Sequence, residues 1–254
     1  IFGSPSLPTI LELANLGSAG ITIFGAETFD RSGTSVSSAG DVNGDGFDDI
    51  LIGASGGDGA ANAKTAAGES YIIFGGLSLP STIDLANLNS AGVIVFGVDA
   101  FDQSGGAVNK AGDVNGDGFD DFVIGATGAK GINNASSRTG EGYIVFGRDF
   151  TDTVTHQGTA APETMAGTTA TDVMIGGRND DILVGNGGTD VLRGGEGDDI
   201  LAVSDLAFSR IVGGNGFDTL RLDGSGLTLD LTTIADNRIL GIEQIDIKDR
   251  KSVV

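Results

Sequence analysis

The chain has 254 residues, and its 35 acidic and 14 basic side chains give a net charge of −21. A polyanion repels phosphate backbones and anionic lipid, so we expect no nucleic-acid partner and a cation as the natural partner. Cysteine is absent, which excludes disulfides and thiolate metal sites. No apolar run reaches the roughly 18 residues of a membrane-spanning helix, so we expect no membrane span.

Glycine is abundant, at 44 residues against 4 prolines, and hydrophobic residues make up 39 % of the chain. The glycines indicate many tight turns between short strands, and the hydrophobic share is enough for a core. The chain begins with Ile rather than Met, and we expect it to be a piece of a longer protein.

A repeat with a period of 72 residues occupies positions 1–150. The segment Ala39–Ala54 (AGDVNGDGFDDILIGA) recurs as Ala111–Ala126 (AGDVNGDGFDDFVIGA). Short runs of β-branched, apolar or small residues predict strands; in the first copy they are Ile21–Phe24, Ser35–Ala39, Ile50–Ile52 and Tyr71–Phe74. Four strands in a repeat of this length predict a β-propeller blade, and residues 1–150 predict about two blades. A closed ring needs about four to eight, so we expect the remaining blades upstream.

Each copy contains the nine-residue acidic loop DVNGDGFDD. Oxygen-bearing side chains stand at loop positions 1, 3, 5 and 9, and glycine stands at position 6, where the chain must turn sharply. Alternate inward-facing oxygens suit a hard cation such as Ca²⁺, with the backbone carbonyl of position 7 as a further ligand. The candidate ligands are Asp41, Asn43, Asp45, the Phe47 carbonyl and Asp49 in the first loop, and Asp113, Asn115, Asp117, the Phe119 carbonyl and Asp121 in the second.

Residues 151–166 are polar and rich in threonine, which predicts a linker. The one histidine of the chain, His156, lies there, and we expect it to have no chemical role. A Ser-His-Asp triad would have to use this residue, and no GxSxG motif is present. One histidine without cysteine also argues against catalytic zinc, so we expect that the chain is not an enzyme.

From Gly167 the period changes to nine residues. Four nonapeptides run without a gap over residues 167–202, and a fifth, Gly213–Arg221, follows a less regular segment. An aspartate stands at the sixth position of each: Asp172, Asp181, Asp190, Asp199 and Asp218. An apolar residue stands at the eighth position of each: Met174, Leu183, Leu192, Leu201 and Leu220. This period is typical of a calcium-binding parallel β-solenoid, so residues 167–222 predict a β-roll whose aspartates are metal ligands.

The last part of the chain is less regular. Residues 223–248 contain two strand-like runs, LTLDLTTI and ILGIEQIDI, which predict a β-rich cap of the roll. Residues 249–254 (DRKSVV) are basic and carry no pattern, and we expect them to be a non-native tail. Asp- and Gly-rich turns can also be solvated turns that bind no ion. Two acidic loops and five aspartates in one register favour Ca²⁺ binding over that alternative.

Residues 1–148 resemble the FG-GAP repeats of integrin α-subunit propellers. The FG dipeptide occurs at Phe24-Gly25, Phe74-Gly75, Phe96-Gly97 and Phe146-Gly147. Where that family often has Gly-Ala-Pro, this chain has Gly53-Ala54-Ser55 and Gly125-Ala126-Thr127. The resemblance implies a propeller in which calcium loops join strands within a blade.

The nonapeptides resemble the RTX repeats, or haemolysin-type calcium-binding repeats, of bacterial proteins exported by type I secretion. In that family GGxGxD forms a turn, the next residues form a short strand, and two nonapeptides make one coil. The resemblance implies that turns stack at a spacing of eighteen residues, with Asp172 above Asp190 and Asp181 above Asp199. One extra residue precedes the fifth nonapeptide, and we expect a bulge to absorb it and to keep Asp218 on the Asp199 edge, at a poorer metal site.

Together the two resemblances imply an all-β chain, with a partial propeller followed by a parallel β-roll, from a large bacterial surface protein. We expect an extracellular adhesion or surface module in which Ca²⁺ stabilises the propeller loops and the roll. Its propeller would contact a protein or glycan ligand. One alternative is the accessory and secretion region of a type I-secreted hydrolase whose catalytic domain lies upstream. Another is a surface-layer component that assembles into sheets.

Overall fold

The computed structural model describes residues 10–135 and 138–248. In these residues the chain forms β-strands and short 3₁₀ helices without any α-helix, which confirms the all-β prediction. The chain divides into two compact units. The described part of unit 1 comprises residues 10–40, 47–111, 121–135 and 138–145, and that of unit 2 comprises residues 41–46, 112–120 and 146–248.

Unit 1 contains short strands and single-turn 3₁₀ helices. Its strands are β1 (Thr22–Phe24), β2 (Ser32–Gly40), β3 (Asp49–Ala54), β4 (Glu69–Ile73), β5 (Thr82–Asp84), β6 (Gly92–Phe96), β7 (Ser104–Gly112), β8 (Asp121–Ala126) and β9 (Glu141–Val145). Its 3₁₀ helices are Leu13–Asn15, Gly17–Ala19, Ala60–Asn62, Leu85–Asn87, Asn89–Ala91 and Ile132–Asn134. No helix in the described residues is long and apolar enough to cross a bilayer. The four runs predicted as strands in the first copy are strands β1 to β4.

Strands β2, β3, β4 and β6 form a four-stranded antiparallel sheet in that order, the arrangement of a propeller blade. The fourth strand, β6, comes from the next sequence copy, while β5 pairs in parallel with β1. Strands β7, β8 and β9 form a second sheet, of three strands. The blade is therefore shifted relative to the sequence repeat, because its first three strands and its fourth strand lie in different copies.

The core of unit 1 lies against the four-stranded sheet. It contains Ile52, Ala54, Tyr71, Ile73, Ile83, Leu85 and Leu88, all nearly inaccessible to solvent. Strand β4 is buried at every position. A strand covered on both faces reads as a continuous apolar run, and the sequence Tyr71–Ile73 has this character.

Unit 2 contains a parallel β-solenoid, the roll. Its strands are β10 (His156–Gln157), β11 (Thr164–Ala166), β12 (Val173–Arg178), β13 (Ile182–Val184), β14 (Val191–Glu196), β15 (Ile200–Val203), β16 (Arg210–Asn215), β17 (Thr219–Leu222), β18 (Ile239–Leu240) and β19 (Gln244–Ile247). In the roll, the even-numbered strands from β10 to β18 form one five-stranded parallel sheet, and the odd-numbered strands from β11 to β19 form the other. Successive strands alternate between the sheets, so each nonapeptide supplies one turn and one strand. The predicted β-roll is confirmed.

The eighth-position residues fill the interior of the roll. Met174, Leu183, Leu192, Leu201 and Leu220 are all 0 % exposed and belong to one cluster. A short strand buries only the side chains on its inner face, so one large apolar residue per nonapeptide is enough to fill a narrow interior. Phe208 and Leu222 extend this core toward the cap.

The prediction that residues 151–166 form a linker needs correction. Strand β10 pairs with β12 and β11 pairs with β13, so this segment forms the first coil of the roll. The reason is that Gly158–Ala166 is a degenerate nonapeptide, with Glu163 at the sixth position and Met165 at the eighth. Met165 packs against the roll core.

The predicted cap continues both sheets at the other end of the roll. Strand β18 pairs in parallel with β16, and β19 pairs in parallel with β17. The predicted non-native tail, residues 249–254, lies outside the described residues.

Candidate metal sites

The sixth-position aspartates of the roll stack in two columns. In the first column, Asp172 N donates to Asp190 Oδ1 (2.9 Å), eighteen residues further along the chain. In the second column, Asp181 N donates to Asp199 Oδ1 (2.7 Å) and Asp199 N donates to Asp218 Oδ1 (2.9 Å). The predicted stacking is confirmed, including Asp218 on the Asp199 edge. The sharing of an ion by stacked aspartates stays a prediction.

The extra residue before the fifth nonapeptide is absorbed in the first column. Ser209 N and Arg210 N both donate to Asp190 O, at 2.7 Å and 3.2 Å. Two residues facing one is the pairing of a β-bulge, as predicted. Because Arg210 pairs with Val191, Ser209 takes the next place in the first column, where no carboxylate is available.

In the second column, one carboxylate oxygen of each aspartate lacks a partner. The three residues are at most 1 % exposed. The Oδ2 atoms of Asp181, Asp199 and Asp218 are buried and accept no hydrogen bond from any described residue. An unsatisfied buried polar group costs about 1–3 kcal/mol, and more when it is charged. A cation or a proton is the partner that these oxygens need.

Each of these oxygens points at the first glycine of its own nonapeptide. A Cβ on Gly176, Gly194 or Gly213 would lie less than 3.0 Å from the Oδ2 atom. The same Cβ would also lie less than 3.0 Å from the carbonyl oxygen of Gly194, Gly213 or Gly241, respectively, in the next coil. Each turn thus brings a carboxylate and a carbonyl oxygen to a place where only glycine fits. Oxygens of both kinds are ligands of Ca²⁺, so the residues fit that ion.

Burial and mutual repulsion disfavour the charged form of these carboxylates. Burial raises the pKa of Asp181, Asp199 and Asp218, and that of Asp199 reaches about 7. The charges of Asp218 and Asp181 add to the shift at Asp199. In the first column, burial and the charge of Asp172 raise the pKa of Asp190 to about 6. A bound cation would remove both penalties at once.

Asp172 is different, because threonine satisfies its carboxylate. Its Oδ2 accepts from Thr168 N (2.6 Å) and Thr168 Oγ1 (2.9 Å), and its Oδ1 accepts from Thr155 Oγ1 (3.2 Å). Burial acts to raise the pKa of Asp172, but these hydrogen bonds outweigh it and lower the pKa. Glu163 repeats the arrangement, since it accepts from Thr159 N (2.7 Å) and Thr159 Oγ1 (2.6 Å). Neither carboxylate needs a cation to complete its hydrogen bonding.

The first acidic loop brings three predicted ligands together. Asp41 Oδ2 accepts from Gly46 N (2.9 Å), Asn43 Oδ1 accepts from Asp45 N (3.1 Å), and Asn43 Nδ2 donates to Asp45 Oδ2 (2.9 Å). Asp41 Oδ2 also forms an ion pair inside unit 2 with Arg193 Nη1 (2.7 Å). Asp41 Oδ1 is buried and finds no hydrogen-bond donor in the described part of the chain. It is therefore the oxygen of this loop most in need of a cation.

In the second acidic loop, both carboxylate oxygens of the first aspartate accept hydrogen bonds. Asp113 Oδ1 accepts from Gly116 N (2.7 Å) and Asp117 N (3.1 Å), and Asp113 Oδ2 accepts from Gly118 N (2.7 Å). Asn115 Nδ2 donates to Asp117 Oδ2 (2.8 Å). Burial raises the pKa of Asp113. The two loops have the same sequence, so the different hydrogen bonding of Asp41 and Asp113 comes from the surroundings of each loop.

The remaining predicted loop ligands are placed as follows. Asp49 and Asp121 are buried at the start of β3 and β8, and Asp49 Oδ1 accepts from Gly75 N (2.8 Å). Phe119 is buried and Phe47 is half-buried. The contribution of their carbonyl oxygens to a calcium site stays a prediction.

The described residues contain no cluster of three or more His, Cys, Asp or Glu side chains suited to a metal ion. A cation bound here would therefore take backbone carbonyl oxygens together with carboxylates, which is how glycine-rich calcium turns work. Sequence reasoning missed two carboxylates that extend the second column. Glu163 N donates to Asp181 Oδ1 (2.7 Å), and Glu243 Oε2 accepts from Asp218 N (2.8 Å). Extending the nonapeptide frame back by nine residues would have found Glu163, but no pattern marks Glu243.

Comparison with known proteins agrees with this geometry. The family model of the FG-GAP repeat matches residues 32–73 and 105–145, and that of the RTX calcium-binding nonapeptide repeat (4 copies) matches residues 166–201. No curated protein matches the chain. Both repeats are typical of extracellular or secreted proteins, and together they support a calcium-binding surface module. The chain is thus built of FG-GAP repeats followed by RTX calcium-binding nonapeptide repeats.

Proposed function

We propose that this chain is an extracellular adhesion module whose fold is stabilised by Ca²⁺ in the roll and in the two acidic loops. The observation that carries the proposal is the second column. Its buried Asp181, Asp199 and Asp218 each keep one oxygen without a hydrogen-bond partner in the described structure, beside a glycine carbonyl. Stacked carboxylates that lack partners are unfavourable unless a cation binds between them.

The column residues would hold the ion as oxygen ligands. Ca²⁺ takes about six to eight oxygens, so carboxylate and carbonyl oxygens from two coils would share it with further turn carbonyls or water. Bound Ca²⁺ neutralises the clustered charge. Because the two coils are joined only in the folded roll, binding favours the folded state by mass action. Extracellular calcium modules bind at about 10⁻⁴–10⁻³ M, which matches such a structural role.

Two exposed phenylalanines support a contact with a protein or glycan. Phe29 and Phe101 occupy the same place in successive repeats and are 86 % and 64 % exposed. Both have positive φ, at 74° and 69°, which is unusual for a bulky side chain. The buried chain at Asp30 and Asp102 holds them, since Gly56 N and Gly128 N donate to the respective carbonyls (2.9 Å each). Strained, exposed residues repeated in this way are typical of binding surfaces.

We propose a binding role rather than a catalytic one, because neither matched repeat family is catalytic. The alternative, an accessory and secretion region of a type I-secreted hydrolase, makes a different prediction. It requires catalytic residues elsewhere in the parent protein and no ligand for the exposed phenylalanines.

The experiment measures binding of the intact chain to immobilised glycans and extracellular-matrix proteins, in calcium and in chelator. We expect binding in calcium that is lost in chelator and at least tenfold weaker in the Phe29→Ala/Phe101→Ala double variant. The matched control is Ile132→Ala, which removes another side chain that is 87 % exposed in unit 1. Binding that is equally strong in the double variant, or absent altogether in calcium, would contradict the adhesion proposal.

A further inference from the structure

The second column does not end with the last nonapeptide. Asp218 belongs to the fifth nonapeptide, is 0 % exposed, and has a buried Oδ2 that accepts no hydrogen bond in the described structure. In a solenoid that ended here, the carbonyl expected from a following coil would be missing. The cap supplies it instead: Val212 pairs with Leu240, so Gly213 and Gly241 follow at the same place in adjacent strands.

The Gly241 carbonyl stands where the carbonyls of Gly194 and Gly213 stand in the inner coils. A Cβ built on Gly213 would come within 3.0 Å of both the Asp218 Oδ2 and the Gly241 carbonyl oxygen. The same pair of a carboxylate oxygen and a glycine carbonyl oxygen therefore recurs at the end of the column, although the last turn is much shorter than a nonapeptide. Its residues lie beyond the segment that matches the nonapeptide family.

Glu243 replaces the next aspartate of the column. Its Oε2 accepts from Asp218 N (2.8 Å), as Asp218 Oδ1 accepts from Asp199 N (2.9 Å). Strand β19 fixes this contact, because Thr219 pairs with Gln244 directly after the two acidic residues. Glu243 thus orients the Asp218 turn and adds negative charge beside it.

We propose that the cap completes a calcium site at this end of the roll, with the Asp218 Oδ2 and Gly241 carbonyl oxygens as ligands and Glu243 as a positioning residue. The proposal rests on the proposed function, since it assumes that the roll binds Ca²⁺. It extends the sites past the nonapeptides and makes the cap part of the metal-binding structure.

The Asp172 turn, which contains a threonine, differs from the Asp218 turn in how its carboxylate is satisfied. At Asp172, the residue after the first glycine is Thr168, and both its N–H and its hydroxyl satisfy the carboxylate. At Asp218, that place is taken by Gly214, which has no side chain and a left-handed φ of 117°. The Asp218 oxygen therefore keeps no local donor, whereas Asp172 has two. The same reasoning predicts no ion on the Asp172 oxygen that Thr168 occupies.

Calcium stoichiometry of the intact chain tests the proposal, by equilibrium dialysis and by calorimetric titration with calcium chloride. Relative to the unaltered chain, we expect Asp218→Asn to bind one ion fewer and the matched control Asp172→Asn to bind the same number. Glu243→Gln keeps an acceptor for Asp218 N but removes the charge, so we expect unchanged stoichiometry and a several-fold weaker affinity at one site. Unchanged stoichiometry in Asp218→Asn, a lost ion in Asp172→Asn, or unaltered affinity in Glu243→Gln would overturn it.

A crystal structure of the unaltered chain, from crystals grown in calcium, tests the same proposal without depending on the folding of any variant. We expect anomalous density between Asp218 Oδ2 and the Gly241 carbonyl; density beside the Thr168 hydroxyl, or none at Asp218, would overturn the proposal. Asp199→Asn distinguishes a failure of the cap site from a failure of the proposed function. If it loses an ion while Asp218→Asn does not, only the cap site fails. If the unaltered chain binds no calcium at all, the proposed function fails with it.

Discussion

Two turns of the roll carry the same sixth-position aspartate but differ in electrostatics. In the first column, Asp172 is satisfied by Thr168 and Thr155, and its pKa is lowered. In the second column, Asp199 sits between two other buried carboxylates, and its pKa is raised to about 7. The aspartate alone therefore does not define a metal site. The residue after the first glycine decides whether the carboxylate is already satisfied or still needs a cation.

The largest expected effect is the response of the roll to calcium. Each site saturated at about 100 times its dissociation constant adds roughly 2.7 kcal/mol to the stability of the folded state. We expect chelator to remove hydrogen-exchange protection from strands β12 to β17 and to reduce the far-UV circular dichroism of β structure. A matched sample in magnesium controls for general charge screening. Strands equally protected in chelator would contradict a structural role for calcium, because the second column would then be stable without a cation.

Substitutions of Asp199 and Asp172 should change stability in opposite directions in chelator and in the same direction in calcium. In chelator, we expect Asp199→Asn to raise the melting temperature, since it removes a buried charge and its amide can donate to the Gly213 carbonyl. In calcium, the same variant should lower it because a ligand is lost. Asp172→Asn should lower stability by about 1–3 kcal/mol in both conditions, because an amide has one acceptor oxygen and cannot accept from Thr168 and from Thr155 at the same time. Thermal unfolding of both variants, with and without calcium, measures this. A loss of stability for Asp199→Asn in chelator would contradict the charge argument.

A pH dependence of stability is expected only without calcium. The folded-state pKa values of about 7 for Asp199 and about 6 for Asp190 lie above the ordinary carboxyl value of 3.8. The folded roll therefore binds more protons than the unfolded chain in this range. Its stability is present at low pH and is lost as pH rises from about 4 through 7. The lowered pKa of Asp172 acts oppositely, contributing stability that is lost as pH falls below its usual range.

Melting temperatures in chelator at about pH 5 and pH 8 check this sign, and Asp199→Asn is the control that should flatten the profile. A chelated protein that is more stable at pH 8 would contradict the raised pKa values of Asp199 and Asp190, because Asp172, whose pKa is lowered, adds no pH dependence between pH 5 and pH 8.

Much of the fold is visible in the sequence because it depends on periodicity. An apolar residue every nine positions must enter the interior if two nonapeptides close one coil, and Met174 and Leu192 do so. The apolar runs at Ile50–Ile52 and Tyr71–Phe74 predict strands, since short β-branched or aromatic segments between turn residues usually form strands. The misjudged segment, residues 151–166, keeps only the glycine, the acid and the apolar residue of the repeat. With so few of its turn residues left, its sequence looks like a polar loop.

The sequence alone was enough to find the repeat lengths and the inward residues, because these follow from local turn and strand geometry, and its resemblance to the RTX repeats implied the spacing at which aspartates stack. Only the tertiary structure decided which carboxylate oxygens remain without donors, because that depends on which amides the neighbouring coil turns toward them. It also decided that β6 completes the blade of the preceding copy and that Glu243 continues the second column. Both contacts join residues through strand pairing across irregular connections, where no sequence period fixes the register.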